Sequence, residues 1–303
     1  MNTLVLNGID GQHLWGFLTA LGALSLLDEY ARDRNLLLPR IAFREDGCAV
    51  LQSPISAEEL TEALSAQLLT LQHLVEHDFS QINKPSDFTR SSYQAIVNTN
   101  DARLLHDFIA GLACVVDNEA DESTLCAANG ASHQNLLQSM RDILRLVEAE
   151  HLRLALFTTW QRSYQVPAET RKRLQLGTRK PTLRFDPSDE RLYALRLTNP
   201  TTENDFATEL GAQALSIAVF RLLPVVPSKT PVTVASRRAR TRVTFEWPLW
   251  NVPATLPTLR SLIWSGVRFP NQCRERGVFS AYGADRVSGA KGKLSFSPSE
   301  GIW

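Results

Sequence analysis

The stretch from Leu14 to Leu27 constrains this 303-residue chain more than any other: fourteen residues without a charge, interrupted only by Gly16, Thr19, Gly22 and Ser25. A membrane span needs about 20 apolar residues, so this run is too short to cross a bilayer. A secretory leader needs a basic start, yet no Lys or Arg precedes Arg32, and Asp10 stands where the positive charge should be. A helix apolar on every side, with small residues at Gly16, Ala20, Gly22 and Ala23, lets neighbouring backbones approach closely. The segment reads as a central helix buried in a soluble core. The expectation is a cytoplasmic protein with no membrane partner.

Hydrophobic residues make up 44% of the chain and charged residues 21%, which excludes a largely disordered chain. The four cysteines (Cys48, Cys114, Cys126, Cys273) are widely spaced and include no CxxC pair. They yield neither a disulfide framework nor a zinc knuckle, and suit small buried hydrophobes in a reducing compartment. No cofactor is expected.

The net charge of zero hides an asymmetry. Residues 1–150 hold 9 Lys/Arg against 21 Asp/Glu, and residues 151–303 hold 23 against 11, giving −12 and +12. A polarised chain of this kind suits a basic surface facing a polyanion and an acidic part facing something else. Alternatively, the halves pack together and neutralise each other.

Short-range patterns predict an α+β chain: an acidic, mainly helical region over 1–180 and a basic, strand-rich region over 181–303, as two regions or one unit. "NTLVLNGI" predicts a strand at Leu4–Leu6 entering a turn at Asn7-Gly8. "LLLPRIAFREDGCAVLQS" predicts two strands joined at Glu45-Asp46-Gly47. Ser56 and Glu59 have capping-box spacing before a helix lined by Leu60, Leu64, Leu68, Leu71 and Val75. "NTNDARLLHDFIAGLACVV" predicts a helix with Leu104, Leu105, Phe108, Leu112 and Val115 on one side. Ser132 can cap a helix lined by Leu136, Met140, Ile143 and Val147. A long helix is expected over 203–223, stopped by Pro224. "VTVASRRARTRVTFEW" (232–247) predicts a strand or hairpin, and 277–303 one or two further strands.

The basic segments carry the candidate site. If 236–246 is extended, Arg238, Arg240 and Arg242 share one face, about 6.6 Å apart, with Arg237 on the other. Such a row of guanidiniums matches phosphate geometry, and Arg forms bidentate contacts that Lys cannot. Arg171, Lys172, Arg173, Arg179 and Lys180 form a second basic segment. Arg268, Arg274, Arg276, Arg286, Lys291 and Lys293 follow later. Six Trp offer stacking platforms for bases. The competing reading is a strand edge protected from aggregation by charge. Recurrence in separate segments favours a polyanion partner.

"HLVEH" matches H-x-x-E-H, in which His73 and His77 would grip zinc and Glu76 would activate its water. Glu148 or Glu150 would have to supply the third ligand. A zinc-dependent hydrolase is therefore the enzymatic alternative, but a solvated helix end explains the same residues. No GxSxG, P-loop or Rossmann fingerprint is present, and nothing in the sequence demands an enzyme. A protein-only scaffold is the third reading.

Two passages resemble proteins of type I-G (formerly I-U) CRISPR operons. "LVLNGIDGQHLWGFLTALGALSLL" is similar to the opening of their accessory and large-subunit-like families: a strand, a Gly turn and an uncharged LxALGxLxLL helix. "LCAANGASHQNLLQSMRDIL" is similar to a small-residue loop (Ala127 to Ser132) followed by a helix carrying Gln134, Leu137, Arg141, Asp142 and Leu144. "RFDPSDERLYALRLTNPT…ELGAQALSIAVFRLLPVVP" followed by "WPLWNVPATLPTLRSLIW" is a looser likeness. The resemblance implies a non-catalytic, nucleic-acid-binding subunit of an RNA-guided surveillance complex, active in antiviral defence. Its implied partners are target DNA or guide RNA and the sister subunits. At 303 residues the chain is short for a large subunit. That leaves an accessory subunit, a shortened large subunit, or an extension of the helicase-nuclease.

Overall fold

The uncharged run forms α1 (Leu14–Asp33), and every residue from Leu14 to Asp28 is buried. The computed structural model describes residues 1–78, 103–117, 119–126, 134–162, 164–176, 182–187, 208–227, 232–239, 242–288 and 294–303. Each fully buried Leu or Phe on α1 contributes about 1.5–3 kcal/mol. The two buried hydroxyls of this helix are satisfied: Thr19 donates to the Trp15 carbonyl at 2.8 Å, and Ser25 accepts from Arg221 at 3.1 Å. Among the described residues, no helix is long and apolar enough to cross a membrane.

Two antiparallel sheets supply strands around α1. β1 (Asn2–Asp10), β2 (Arg40–Phe43) and β3 (Cys48–Ser53) form the first, in the order β1-β3-β2. The predicted strand pair closes at the expected turn, with Gly47 at φ +87°. The chain does not turn at Asn7-Gly8: β1 continues to Asp10, but its pairing with β3 is interrupted there, the register jumping from Leu6–Ala49 to Asp10–Cys48. Gly8 serves a close approach instead: a Cβ there would come within 2.3 Å of the Ala155 carbonyl oxygen.

The second sheet holds β8 (Ser236–Ala239), β9 (Arg242–Trp250), β10 (Val278–Ser288) and β11 (Leu294–Phe296), in the order β11-β10-β9-β8, with β12 (Glu300–Gly301) also paired to β10. Residues 277–303 thus carry three strands rather than one or two. Short strands β4 (Ala113–Val116) with β5 (Glu119–Glu122), and β6 (Val225–Val226) with β7 (Val232–Thr233), form separate two-stranded pairs.

Indole donors lock the sheets together. Trp247 donates to the Gly11 carbonyl at 2.8 Å and Trp250 to the Ile41 carbonyl at 2.7 Å. Phe17 of α1 lies 5.7 Å from Trp247, and Phe43 meets Trp250 edge-on at 5.0 Å. One hydrophobic cluster runs from Leu6 to Phe296 and takes in residues on both sides of position 180.

Helices α2 (Ala57–His73), α3 (Arg103–Leu112), α4 (Gln134–Leu146), α5 (Ala149–Phe157) and α6 (Ala168–Arg173) fill out the first half. Ser56 and Glu59 form the expected capping box on α2. The helix predicted through Val116 stops at Leu112. Val115 and Val116 favour extended backbone and pair with β5, and Asp117 takes the left-handed conformation (φ 52°) just after them. Leu136, Met140 and Ile143 of α4 are fully buried, as their spacing predicts. Ser132 lies outside the described residues.

The expected 203–223 helix is shorter. α7 spans Leu210–Ile217 and tightens into a 3-10 turn over Ala218–Arg221 before Pro224. Thr208 is extended because its backbone exchanges two 3.2 Å hydrogen bonds with Tyr164. Residues 203–207 lie outside the described residues. The architecture is α+β, helical in its N-terminal half and strand-rich in its C-terminal half. Helices α8 (Leu256–Ser265) and α9 (Pro270–Glu275) connect β9 to β10.

Candidate nucleic-acid interface

The arginine-rich segment is a hairpin, and that changes which cations stand together. Ala239 pairs with Arg242 and Arg238 with Val243, so the chain reverses between Ala239 and Arg242. Partners across an antiparallel pair share a face, and neighbours along a strand alternate. Arg237, Arg242, Thr244 and Glu246 therefore share one face, while Arg238 lies on the other with Val243 and Phe245. This corrects the expectation of one face shared by Arg238, Arg240 and Arg242, which required an uninterrupted strand. Arg240 lies outside the described residues, as do Arg179, Lys180, Lys291 and Lys293.

The chain's own carboxylates hold both cations on the first face. Arg237 donates to Glu246 at 2.5 Å, and Arg242 pairs with Asp285. Burial alone would raise the Asp285 pKa, but hydrogen bonds from Arg242 and Thr244 outweigh it and hold the carboxyl below its ordinary range. The Arg242 guanidinium is shifted up by that same bond to Asp285. These two arginines are largely spent on hairpin structure.

On the other face Arg238, Val243 and Arg286 stand in a row across β8, β9 and β10. Arg286 is pressed into the protein near Glu122 and Cys126, and burial lowers its pKa. Its Nε is buried without a hydrogen-bond partner among the described residues. Arg238 is exposed at the sheet edge, where a cleft of about 560 Å³ reaches round from the Arg237–Glu246 pair and Ala239 to Arg268, Val267 and Ile302. Neither Arg238 nor Arg268 enters an ion pair among the described residues.

Of the second basic segment, Arg171, Lys172 and Arg173 form the last turn of α6. Lys172 and Arg173 are exposed there, whereas Arg171 is half-buried and its charge acts on Asp142. Burial raises the Asp142 pKa, against a 2.7 Å hydrogen bond from Gln138. Asp142, Leu137 and Leu144, three residues of the second CRISPR-like passage, are thus buried core positions. Ala127 to Ser132, from the same passage, lie outside the described residues.

The zinc alternative fares differently residue by residue. Glu76 accepts from Gln72 at 3.0 Å and from Arg145 at 2.5 Å, which commits its carboxylate to an ion pair. His73 is exposed, and the helix passes into π geometry over Leu74–Asp78, so the α-helical spacing behind the motif is lost. The His77 side chain lies outside the described residues. Glu150 is held by Arg153 at 2.6 Å. The Glu148 backbone N–H donates to His151 Nδ1 at 3.1 Å. Among the described residues, no group of three His, Cys, Asp or Glu could hold a metal.

The sequence did not single out Arg40. The structure places it with Arg276 in a groove of about 530 Å³ alongside α8, floored by Trp250 and Leu262. Both arginines are exposed and enter no ion pair among the described residues. No sequence pattern joins positions 40 and 276; the chain around 250–254 does, bridged to Ile41 through Ala254 with both hydrogen bonds at 3.0 Å and to Gly277 through Asn251 at 3.1 Å. No protein-family model matches this sequence, and no match is found for it among curated proteins.

Proposed function

We propose that the chain is a non-catalytic nucleic-acid-binding subunit of an RNA-guided CRISPR surveillance complex. It holds the phosphate backbone of target DNA or guide RNA and docks on sister subunits. The carrying observation is the cleft at the β8 edge, where Arg238 and Arg268 stand exposed without carboxylate partners among the described residues. Guanidiniums that neutralise phosphates release the cations condensed along the nucleic acid, which drives association. The +12 balance over residues 151–303 supports the same ligand. Membership of a CRISPR complex rests on the resembling sequence passages alone. In such a complex, guide pairing reads the sequence while the protein supplies charge and shape.

The test is binding of fluorescent single- and double-stranded DNA and RNA across a salt series. Arg238→Ala with Arg268→Ala is expected to weaken binding about tenfold for every sequence and flatten the salt dependence by about 1.4–1.8. A wild-type chain that ignores all four ligands at low salt overturns the nucleic-acid reading. Co-expression with the neighbouring gene products tests the complex: guide RNA is expected to come down with this chain, and its absence counts against that role.

A further inference from the structure

We infer that the groove beside α8 is a binding site for a single-stranded polynucleotide, distinct from the cleft at Arg238. This rests on the proposed function and adds both a second site and the form of its ligand. Four observations converge there. Arg40 and Arg276 enter the groove from two distant parts of the chain, exposed and without ion-pair partners among the described residues. Thr258, Ser261 and Ser265 of α8 line it with hydroxyls at helical spacing.

The first turn of α8 also opens onto the groove. Thr255, its N-cap residue, makes no side-chain bond to the backbone of that turn; its hydroxyl meets the Thr258 hydroxyl at 3.2 Å instead. Pro257 in that turn carries no N–H, so the backbone donors left to an anion beside the two guanidiniums are those of Leu256 and Thr258. Lastly, Trp264 is 55% exposed one helical step from Ser261, and Val252 is 58% exposed at the groove itself. Trp264 is not itself part of the groove lining, but a large indole left in water on the helix that flanks it suits an unstacked base, because stacking accepts every base and needs a strand that can splay. A duplex keeps its bases stacked inside, so the ligand read here is a single strand.

The experiment uses the full chain, a labelled 15-nucleotide oligo-dT, the matching oligo-U, and inorganic polyphosphate as an anion without bases. Three variants are compared with wild type: Arg40→Ser with Arg276→Ser, Trp264→Ala, and Arg238→Ser with Arg268→Ser. The Arg40/Arg276 pair is expected to weaken oligonucleotide binding about tenfold and lower the salt slope by about 1.4. Trp264→Ala is expected to weaken oligonucleotides roughly tenfold and leave polyphosphate unchanged. Wild-type affinity in the Arg40/Arg276 variant, with loss in the Arg238/Arg268 variant, overturns the groove and leaves the proposed function standing. Equal effects of Trp264→Ala on oligonucleotides and polyphosphate overturn the single-strand assignment. No binding by the wild-type chain overturns the proposed function and the groove together.

Discussion

Gly22 of α1 lies directly against the backbone of Leu215 in α7: a Cβ built on the glycine would stand 1.9 Å from the Leu215 carbonyl oxygen. Backbone faces backbone at this crossing, so no flexible side chain can yield. Gly22→Ala is expected to cost about 3 kcal/mol, the upper end for overpacking a core. Urea unfolding measures it; a loss below about 1 kcal/mol would mean that the helices separate easily.

Glu246 is a natural brake on the hairpin. Glu246→Gln keeps the side-chain volume and removes the charge that holds Arg237 at 2.5 Å. Affinity for nucleic acid is expected to rise severalfold, with the salt slope steeper by about 0.7–0.9 for one further phosphate contact. Unchanged affinity and slope in a salt titration would place the polyanion away from this hairpin.

Burial lowers the His151 pKa from its ordinary 6.5, although Glu148 and Glu150 pull the other way; the Tyr164 ring packs edge-on against the imidazole at 4.8 Å. A depressed folded-state pKa gives stability that is present above 6.5 and lost as pH falls below it. The bond from the Glu148 N–H to Nδ1 needs an unprotonated nitrogen, which fits that sign. Asp142 and Glu209, both raised by burial, act oppositely: their contribution is present in acid and lost as pH rises through their folded values. The comparison is therefore with His151→Gln, which can still accept the hydrogen bond but does not titrate. Between pH 7.5 and 5.5, wild type is expected to lose more melting temperature than the variant. Parallel curves would remove His151 from the account.

Burial raises the pKa of Cys48, Cys114 and Cys126, which keeps these thiols protonated and slow to react at neutral pH. Cys48 is half-buried, and the other three cysteines are buried. In a timed reaction with a disulfide reagent at pH 8, Cys48 is expected to label first and Cys126 only on unfolding. Fast labelling of Cys126 in the native protein would show that its surroundings open readily.

Local chemistry made several elements legible: the charge-free run of α1, the Ser56–Glu59 cap, the Gly47 turn and the Leu136–Met140–Ile143 line. Each depends on residues a few positions apart. What depends on distant chain stayed hidden. Gly8 looks like a turn signal until the Ala155 carbonyl is seen against it. Arg242 looks like a free cation until the neighbouring strand brings Asp285 alongside. The side assigned to Arg238 hinged on one reversal of direction, because a single register step exchanges the faces of a strand. Arg40 gave no signal, since its strand reaches the groove through contacts with distant chain, the bridge to Ala254 and the Trp250 bond to Ile41.

The buried helix α1 is synthesised well before the chain that shelters it. Thr19 of α1 and Ala212, whose carbonyl its hydroxyl reaches, are 193 residues apart in translation order. At about 5–20 residues per second, α1 waits roughly 10–40 s on the ribosome before its cover is made. Over that interval the uncovered apolar surface of α1 is open to aggregation, the hazard that chaperones exist to contain.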